Sequence, residues 1–460
     1  AWSAPRGDRL VDLVNPVTEG PSGQVRVSDE TDMAAAVKAA RHSGWERAES
    51  PVRLSALSLV IENLRKRRGE FATTIAEEIG APPAFADAGH FGAALGHLEA
   101  YRDTLANMHG EDVPWADPAH RVRYEPLGVA ALITPWNWPL NQVALKVGAA
   151  LAAGCPMVLK PSELTPRTSV LFADAMREVM HDVGHPGAFN LLLGDGEVGA
   201  MLAQHQDVAA ISFTGSTAVG RKIGADAGRA LKTAMLELGG KSPNVLFADC
   251  DVERATTQGI AHCFRNGGQS CNAASRMIVH RSIYDQVISH AAEIAAKYRP
   301  GIDYGPIITK RHFVNVLSLI DTGIAEGARV IAGGSGRATE KGYFPRPTVF
   351  ADVTPEMTIW RREIFGPVLT ITPFDDEEEA ISLANDTEYG LAGYLQTEDR
   401  ACADRVARRL RVGMVQVNGS SRAPGAPFGG VRASGLGREG GSWGIRAFQA
   451  VKSISGAVQT

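Results

Sequence analysis

Cys271 lies in GGQSCNAASR at 267–276, Glu237 heads ELGGKSP at 237–243, and Asn137 sits in TPWNWP at 134–139. A thiol, a carboxylate and a carboxamide are the three side chains needed to oxidise an aldehyde through a thioester. The thiolate is the nucleophile, and a free thiol with a pKa of ~8.5 needs activation. Attack on a carbonyl creates an oxyanion, for which the Asn137 carboxamide and the Cys271 backbone N–H are the candidate donors. Asn suits this task because it donates without carrying a charge or titrating. Glu237 is the candidate general base that activates water to release the acyl group, its pKa rising as a pocket desolvates it. Taken singly, Cys271 reads as a small buried hydrophobe, Asn137 as a turn residue before Pro139, and Glu237 as a strand-end charge. The joint occurrence of the three strings, in this order, favours chemistry. Cys155, Cys250, Cys263 and Cys402 keep the buried reading.

Elements must bring these residues together across more than 130 positions. From Gly128 short apolar runs alternate with helical patterns. Val129–Ile133, Met157–Leu159, Phe189–Leu193, Ala209–Phe213 and Thr233–Leu238 read as strands. Leu140–Ala153, Arg167–Val179, Val198–Gln204 and Val219–Ala227 read as helices. Such alternation predicts a mostly parallel sheet covered on both faces, with ligands beyond the carboxyl ends of its strands. TPWNWP follows the first strand, KPSE the second and FTGS the fourth. Residues 31–110 read mainly as helix, and Pro51–Ile79 has the 3–4 spacing of one amphipathic helix. A second α/β region runs from about Gly240 to Pro427. It has helices at Asp251–Asn266 and Ile283–Tyr298 and strands at Met277–His280, Phe365–Phe374 and Met414–Val417. His120–Tyr124 reads as part of a protruding ribbon, and the alternating Val451, Ile454 and Val458 as an edge strand.

Composition excludes several classes. The 460 residues suggest two or three domains, and 44% hydrophobic with 21% charged residues is ordinary for a globular protein. The net charge of −4 gives no reason to expect nucleic acid or an anionic membrane as partner. The basic clusters Arg65–Arg68 and Arg405–Arg411 read as solvated helix faces. The most apolar stretch, Val147–Leu159, is interrupted by Gly154 and Pro156 and falls short of the ~20 residues that span a bilayer. Five dispersed cysteines without CxxC or Cys/His spacing suggest no metal site and a reducing, cytoplasmic setting. No secretory signal is visible, although the sequence begins with Ala1 rather than Met.

Three further strings suit a dinucleotide. Phe213-Thr-Gly-Ser-Thr-Ala-Val-Gly220 joins a strand to a helix with small residues, so backbone N–H groups can approach a pyrophosphate; the alternative is an ordinary cap by Ser216. Lys160-Pro-Ser-Glu163 can hydrogen-bond an adenosine ribose, or be a surface charge pair. A carboxylate there repels a 2′-phosphate and favours NAD over NADP. Glu363-Ile-Phe365-Gly-Pro367 can hold the nicotinamide ribose with Phe365 near the ring, or be a surface Glu beside a core Phe.

PWNWP, KPSE, FTGS, ELGGKSP, GQSC, EIFGPV, PFGG (427–430) and SGLGRE (434–439) together resemble the aldehyde dehydrogenase superfamily from Asn15 to Lys452. The resemblance implies an α/β fold. A Rossmann-like parallel-sheet NAD-binding domain would span 1–108 and 127–239, and an α/β catalytic domain 240–432. A small β oligomerisation flap would span 109–126 and 440–460. It implies NAD as cofactor, with NADP possible, a small-molecule aldehyde as substrate, and a homodimer or homotetramer. It assigns catalysis to Cys271, Glu237 and Asn137. It assigns cofactor contacts to Thr134, Pro135, Trp136, Lys160, Ser162, Glu163, Thr214, Gly215, Ser216, Leu238, Gly239, Glu363 and Phe365. Substrate contacts fall on Trp138, Gln142, Leu145, Ser270, Asn272 and Phe428, with no metal. The connection Tyr298–Gly305 is shorter than the family's usual one.

Two other functions compete: a coenzyme A-acylating semialdehyde dehydrogenase, which usually lacks the base at 237, and a catalytically silent protein on the same scaffold. Arg422 can meet an acidic semialdehyde such as succinate semialdehyde, though a surface Arg is the plainer expectation.

Overall fold

Five parallel strands carry the first half of the chemistry. The computed structural model describes residues 3–112 and 119–456. Val129–Ile133, Met157–Lys160, Phe189–Leu191, Val208–Thr214 and Thr233–Glu237 form one sheet, in the spatial order third, second, first, fourth, fifth. Every residue of the first two is buried, which is why they read as apolar runs rather than alternations. Strand order reverses between the first and fourth strands, and a crevice opens beyond the carboxyl ends at such a point. TPWNWP leaves the first strand there and FTGS the fourth. Pro139 opens helix Pro139–Ala153, where a missing N–H costs nothing, and Gly154 at φ 89° ends it. All of that helix is buried, Lys146 included. Gly435–Leu436 adds antiparallel to Thr233–Glu237, with Gly435 opposite Glu237.

A second sheet runs Arg329–Ala332, Thr348–Ala351, Val368–Phe374, Arg276–His280, Pro243–Leu246, Ala392–Gln396 and Met414–Val417, parallel except at its first pair. Gln449–Ser455, His120–Pro126 and Glu111–Asp112 form a third, antiparallel sheet. Residues 113–118 of the expected hairpin, and Val458 of the expected tail strand, lie outside the described residues. Ile445 and Phe448, just before the tail strand, pack into the core around helices Gly92–Ala106 and Pro139–Ala153. Among the described residues no helix is long and apolar enough to cross a membrane.

Some local expectations change. The expected helix 51–79 is two, Ser50–Lys66 and Arg68–Ile79, broken where Arg67 adopts φ −101°, ψ 14° just ahead of Gly69. The expected strand at 365 starts only at Val368, because Phe365 holds φ 57°, a left-handed conformation no strand accepts. Residues 298–305 form a tight turn, with Asp303 N–H donating to Arg299 O at 2.9 Å and Tyr304 OH donating to Pro345 O at 3.0 Å.

The segment joining helix Val252–Phe264 to strand Arg276–His280 carries the thiol. It turns through three consecutive left-handed residues, Asn266 (φ 56°), Gly267 (φ 64°) and Gly268 (φ 73°). Gln269 then secures it. Its Nε2 donates to Asn266 O and Pro306 O, both at 2.9 Å, and its Oε1 accepts from Ile308 N–H at 3.0 Å. These groups are buried, so removing their partner leaves them unsatisfied. Gln269→Ala is expected to cost on the order of 2–4 kcal/mol and to lower the thermal midpoint by several degrees. Differential scanning calorimetry checks this; an unchanged midpoint would count against the lock.

Candidate active site

Cys271 stands where two cavities meet. One, of about 260 Å³, is lined by Pro135, Trp136, Asn137, Thr214, Gly215, Ser216, Leu238, Gly239, Glu363 and Phe365. The other, of about 210 Å³, has Trp138, Gln142, Leu145, Ser270, Asn272 and Phe428 in its wall. Among the described residues the thiol alone borders both. Two larger hollows of about 440 Å³ do not reach it, although one shares His262 and Arg265 with the 210 Å³ cavity.

Short contacts tie the strings together. Asn137 Nδ2 donates to Gln269 O at 2.9 Å, while Asn266 Nδ2 donates to Asn137 O at 2.7 Å. Trp138 Nε1 donates to Ser270 Oγ at 3.0 Å. A Cβ at Gly240 would fall 2.3 Å from Cys271 O, so ELGGKSP passes directly over the thiol's own backbone. A Cβ at Gly429 would fall 2.4 Å from Glu237 Oε1, which sets the PFGG turn against the carboxyl.

Glu237 is 3% exposed, and its Oε2 has no hydrogen-bond partner among the described residues. Burial raises its pKa well above the carboxylate range; Glu439 adds to the rise, and Lys146, Arg438 and Arg422 oppose it. Beneath it Lys146 Nζ donates to Glu439 Oε1 at 2.6 Å and to Ser212 Oγ at 3.0 Å. Sequence reading did not connect Lys146 with Glu439, which lie 293 positions apart. Burial also raises the Cys271 thiol, and the charges of Glu363 and Glu237 push it the same way; the N–H groups of Asn272 and Cys271 oppose them. Glu363 accepts from Gly240 N–H at 3.1 Å, and burial pushes its carboxyl up to about 7.

On the 260 Å³ side, Ser216 Oγ accepts from Val219 N–H at 3.4 Å and caps helix Thr217–Arg229. The helix N-terminus thus opens toward the cavity, where an anion is stabilised. Thr214 Oγ1 and Thr134 Oγ1 are buried without partners. Trp136 meets Phe365 edge-on, ring centres 5.8 Å apart, and His312 Nε2 donates to Phe365 O at 2.8 Å. Lys160, Ser162 and Glu163 sit at the same sheet end but outside the 260 Å³ cavity. Lys160 Nζ is held by Gly194 O at 2.8 Å and Asp195 O at 3.1 Å. On the substrate side the wall also holds His97, Asn141, His262, Arg265 and Arg422, none of which sequence reading had put there as a set. Arg422 is not the plain surface residue expected: it is half-buried, because its Nη1 donates inward to Ala426 O.

The aldehyde dehydrogenase family model matches residues 2–454. A 3-succinoylsemialdehyde-pyridine dehydrogenase from a Pseudomonas species is 43% identical, over 99% of this chain and 97% of the relative. An aldehyde dehydrogenase from Bartonella henselae superposes with a TM-score of 0.96 at 42% identity, covering 99% of this chain and 97% of that one. Aldehyde dehydrogenase C from Pseudomonas syringae, solved with NAD+ and octanal, gives 0.96 at 41% identity, over 99% and 95%. The whole described chain, and not its thiol site alone, follows this pattern, and the protein belongs to the aldehyde dehydrogenase family.

Proposed function

We propose that the chain oxidises an aldehyde to the carboxylic acid with NAD+, water supplying the second oxygen. One observation carries this: a single sulfur borders both a cleft suited to a dinucleotide and a separate small cavity. The unpartnered hydroxyl of Thr214, the capped helix N-terminus and the Trp136–Phe365 walls fit a nicotinamide ribose and pyrophosphate. Glu363 would hold the nicotinamide ribose, and Lys160 with Glu163 the adenosine ribose, where a carboxylate disfavours the 2′-phosphate of NADP. Bound there, NAD+ supplies the hydride acceptor.

The residues divide the remaining work. Cys271 Sγ adds to the carbonyl and gives a thiohemiacetal. Asn137 already spends one Nδ2 hydrogen on Gln269 O, and the second is free for the oxyanion together with the Cys271 backbone N–H. Loss of hydride from carbon leaves a thioester on Cys271. Glu237 takes a proton from water, whose oxygen displaces the sulfur. Per turnover one aldehyde, one water and one NAD+ become one carboxylate, one NADH and two protons. Residues 1–108 with 127–239 would bind the dinucleotide and 240–432 would carry the thiol. Residues 109–126 with 440–460 would form an oligomerisation flap in a cytoplasmic homodimer or homotetramer.

Cys271→Ala is expected to abolish NADH formation, and Asn137→Ala to lower kcat by about 10²–10³-fold. NADH produced without coenzyme A, read at 340 nm, supports the assignment; turnover that strictly needs coenzyme A would overturn it. Glu237→Gln is expected to leave one burst of NADH per site and slow turnover, because acylation survives and hydrolysis does not. Both reactive acids have raised pKa values, so their ionised forms grow only as pH rises. The kcat/KM profile is therefore expected to rise with pH, and a profile that falls as pH rises would contradict it.

A further inference from the structure

The 210 Å³ cavity has an electrostatic lining that oxidation of an aldehyde does not itself need. Arg265 and Arg422 border it, and no carboxylate does. Its two histidines are neutral near pH 7, since burial pushes His97 down to about 3 and His262 to about 4. Arg422 lies between strand Met414–Val417 and Phe428. Its Nη1 donates to Ala426 O at 2.9 Å, and its guanidinium sits 5.0 Å from the centre of the Phe428 ring. Arg265 follows helix Val252–Phe264 and sits 5.1 Å from the Phe85 ring centre and 5.9 Å from that of Trp138. Aromatic faces steady both guanidinium groups while most of their N–H donors stay unclaimed. Among the described residues neither is paired with a carboxylate. Burial lowers the pKa of Arg422, which marks a desolvation cost that an arriving anion offsets.

We propose that the aldehyde oxidised here carries a second, anionic group, a carboxylate at the far end of a short chain, bound by Arg422 with Arg265 assisting from the rim. This rests on the reading of Cys271 as the nucleophile of an aldehyde-oxidising site. A guanidinium fork matches a carboxylate through two parallel N–H···O bonds. Arg422 is half-buried and Arg265 exposed, so Arg422 contributes more and the share of Arg265 is screened by salt. At about 210 Å³ the cavity lies below the roughly 300–1,000 Å³ of pockets for drug-sized ligands, which favours a short chain. Gln142, 5% exposed with Oε1 unpartnered, adds a polar group along the way.

The field of Arg422 also reaches Glu237 and Glu439, so its loss can disturb the base as well as the anchor. Three four-carbon aldehydes separate these effects: one ending in a carboxylate, one in a carboxamide and one in a methyl group. The wild-type protein is expected to favour the carboxylate over the carboxamide by about 100-fold in kcat/KM, mostly through KM. Arg422→Ala should erase most of that ratio. Arg265→Ala should reduce it by about tenfold at low salt and less at high salt. Arg422→Lys should retain part of it, since a point charge replaces the fork. A wild type without the preference, or a ratio that survives Arg422→Ala, would overturn the proposal. So would an equal loss on all three aldehydes with a displaced pH limb, which marks a role on Glu237 alone. Neutral aldehydes that reduce NAD+ with no preference for the acid leave the oxidation reading standing; failure of every aldehyde removes both.

Discussion

One reciprocal pair of hydrogen bonds sets the position of everything else. Asn137 donates to the carbonyl of Gln269, and Asn266 donates to the carbonyl of Asn137. The first residue lies in the loop that follows strand Val129–Ile133 of one sheet, and the other two belong to the turn that leads into strand Arg276–His280 of another. The thiol at 271 is therefore fixed relative to the crevice beyond Val129–Ile133, and not merely to its own segment. The arrangement leaves Asn137 Oδ1 buried without a partner. A polar atom left so costs about 1–3 kcal/mol, a cost that stable folds avoid and that reacting sites tolerate. The same tension recurs at Glu237 Oε2 and Thr214 Oγ1; Asn137 and Thr214 line the cleft beside the sulfur, and Glu237 acts on the sulfur through its charge.

Much of this was legible in the sequence. A parallel sheet buried on both faces leaves unbroken apolar runs, so the strands ending before TPWNWP and KPSE declared themselves, and the strings then fell where such sheets bind ligands. What escaped has definite reasons. Gly435–Leu436 is two residues long, too short for any periodicity, yet it brings SGLGRE beside Glu237. The break at Arg67 is a backbone event inside a continuous amphipathic pattern. Arg422 looked like a surface residue because its direction depends on Ala426 O and the Phe428 face, contacts no local pattern encodes. Lys146 did leave a trace: it is the only charge between Leu140 and Leu159. A lone cation in such a run predicts a buried partner, which proves to be Glu439.

That buried ion pair bears on the base. Lys146 and Glu439 both exert their charges on Glu237, with opposite signs, while burial dominates both. Their opposite charges partly offset one another, and burial remains the largest cause of the rise. Loss of Glu439 would lower the Glu237 pKa, and loss of Lys146 would raise it further. The pair thus shifts the Glu237 pKa while lining neither cavity.

The two cavities differ in charge, and the sulfur lies on the boundary. Among the described residues Glu363 is the only charged side chain lining the 260 Å³ cavity; Arg265 and Arg422 are the charged ones in the other. A cationic ring is drawn toward the first and an anion toward the second. Burial, and after it the charges of Glu363 and Glu237, raise the pKa of the sulfur and favour its thiol form. A thiol so held resists stray oxidation and alkylation, because the thiolate is the reactive form. A cation entering the Glu363 side would oppose those carboxylates at short range, where a low dielectric magnifies it. On the proposed function, occupancy of that cleft would then favour the thiolate of Cys271 through charge placement alone.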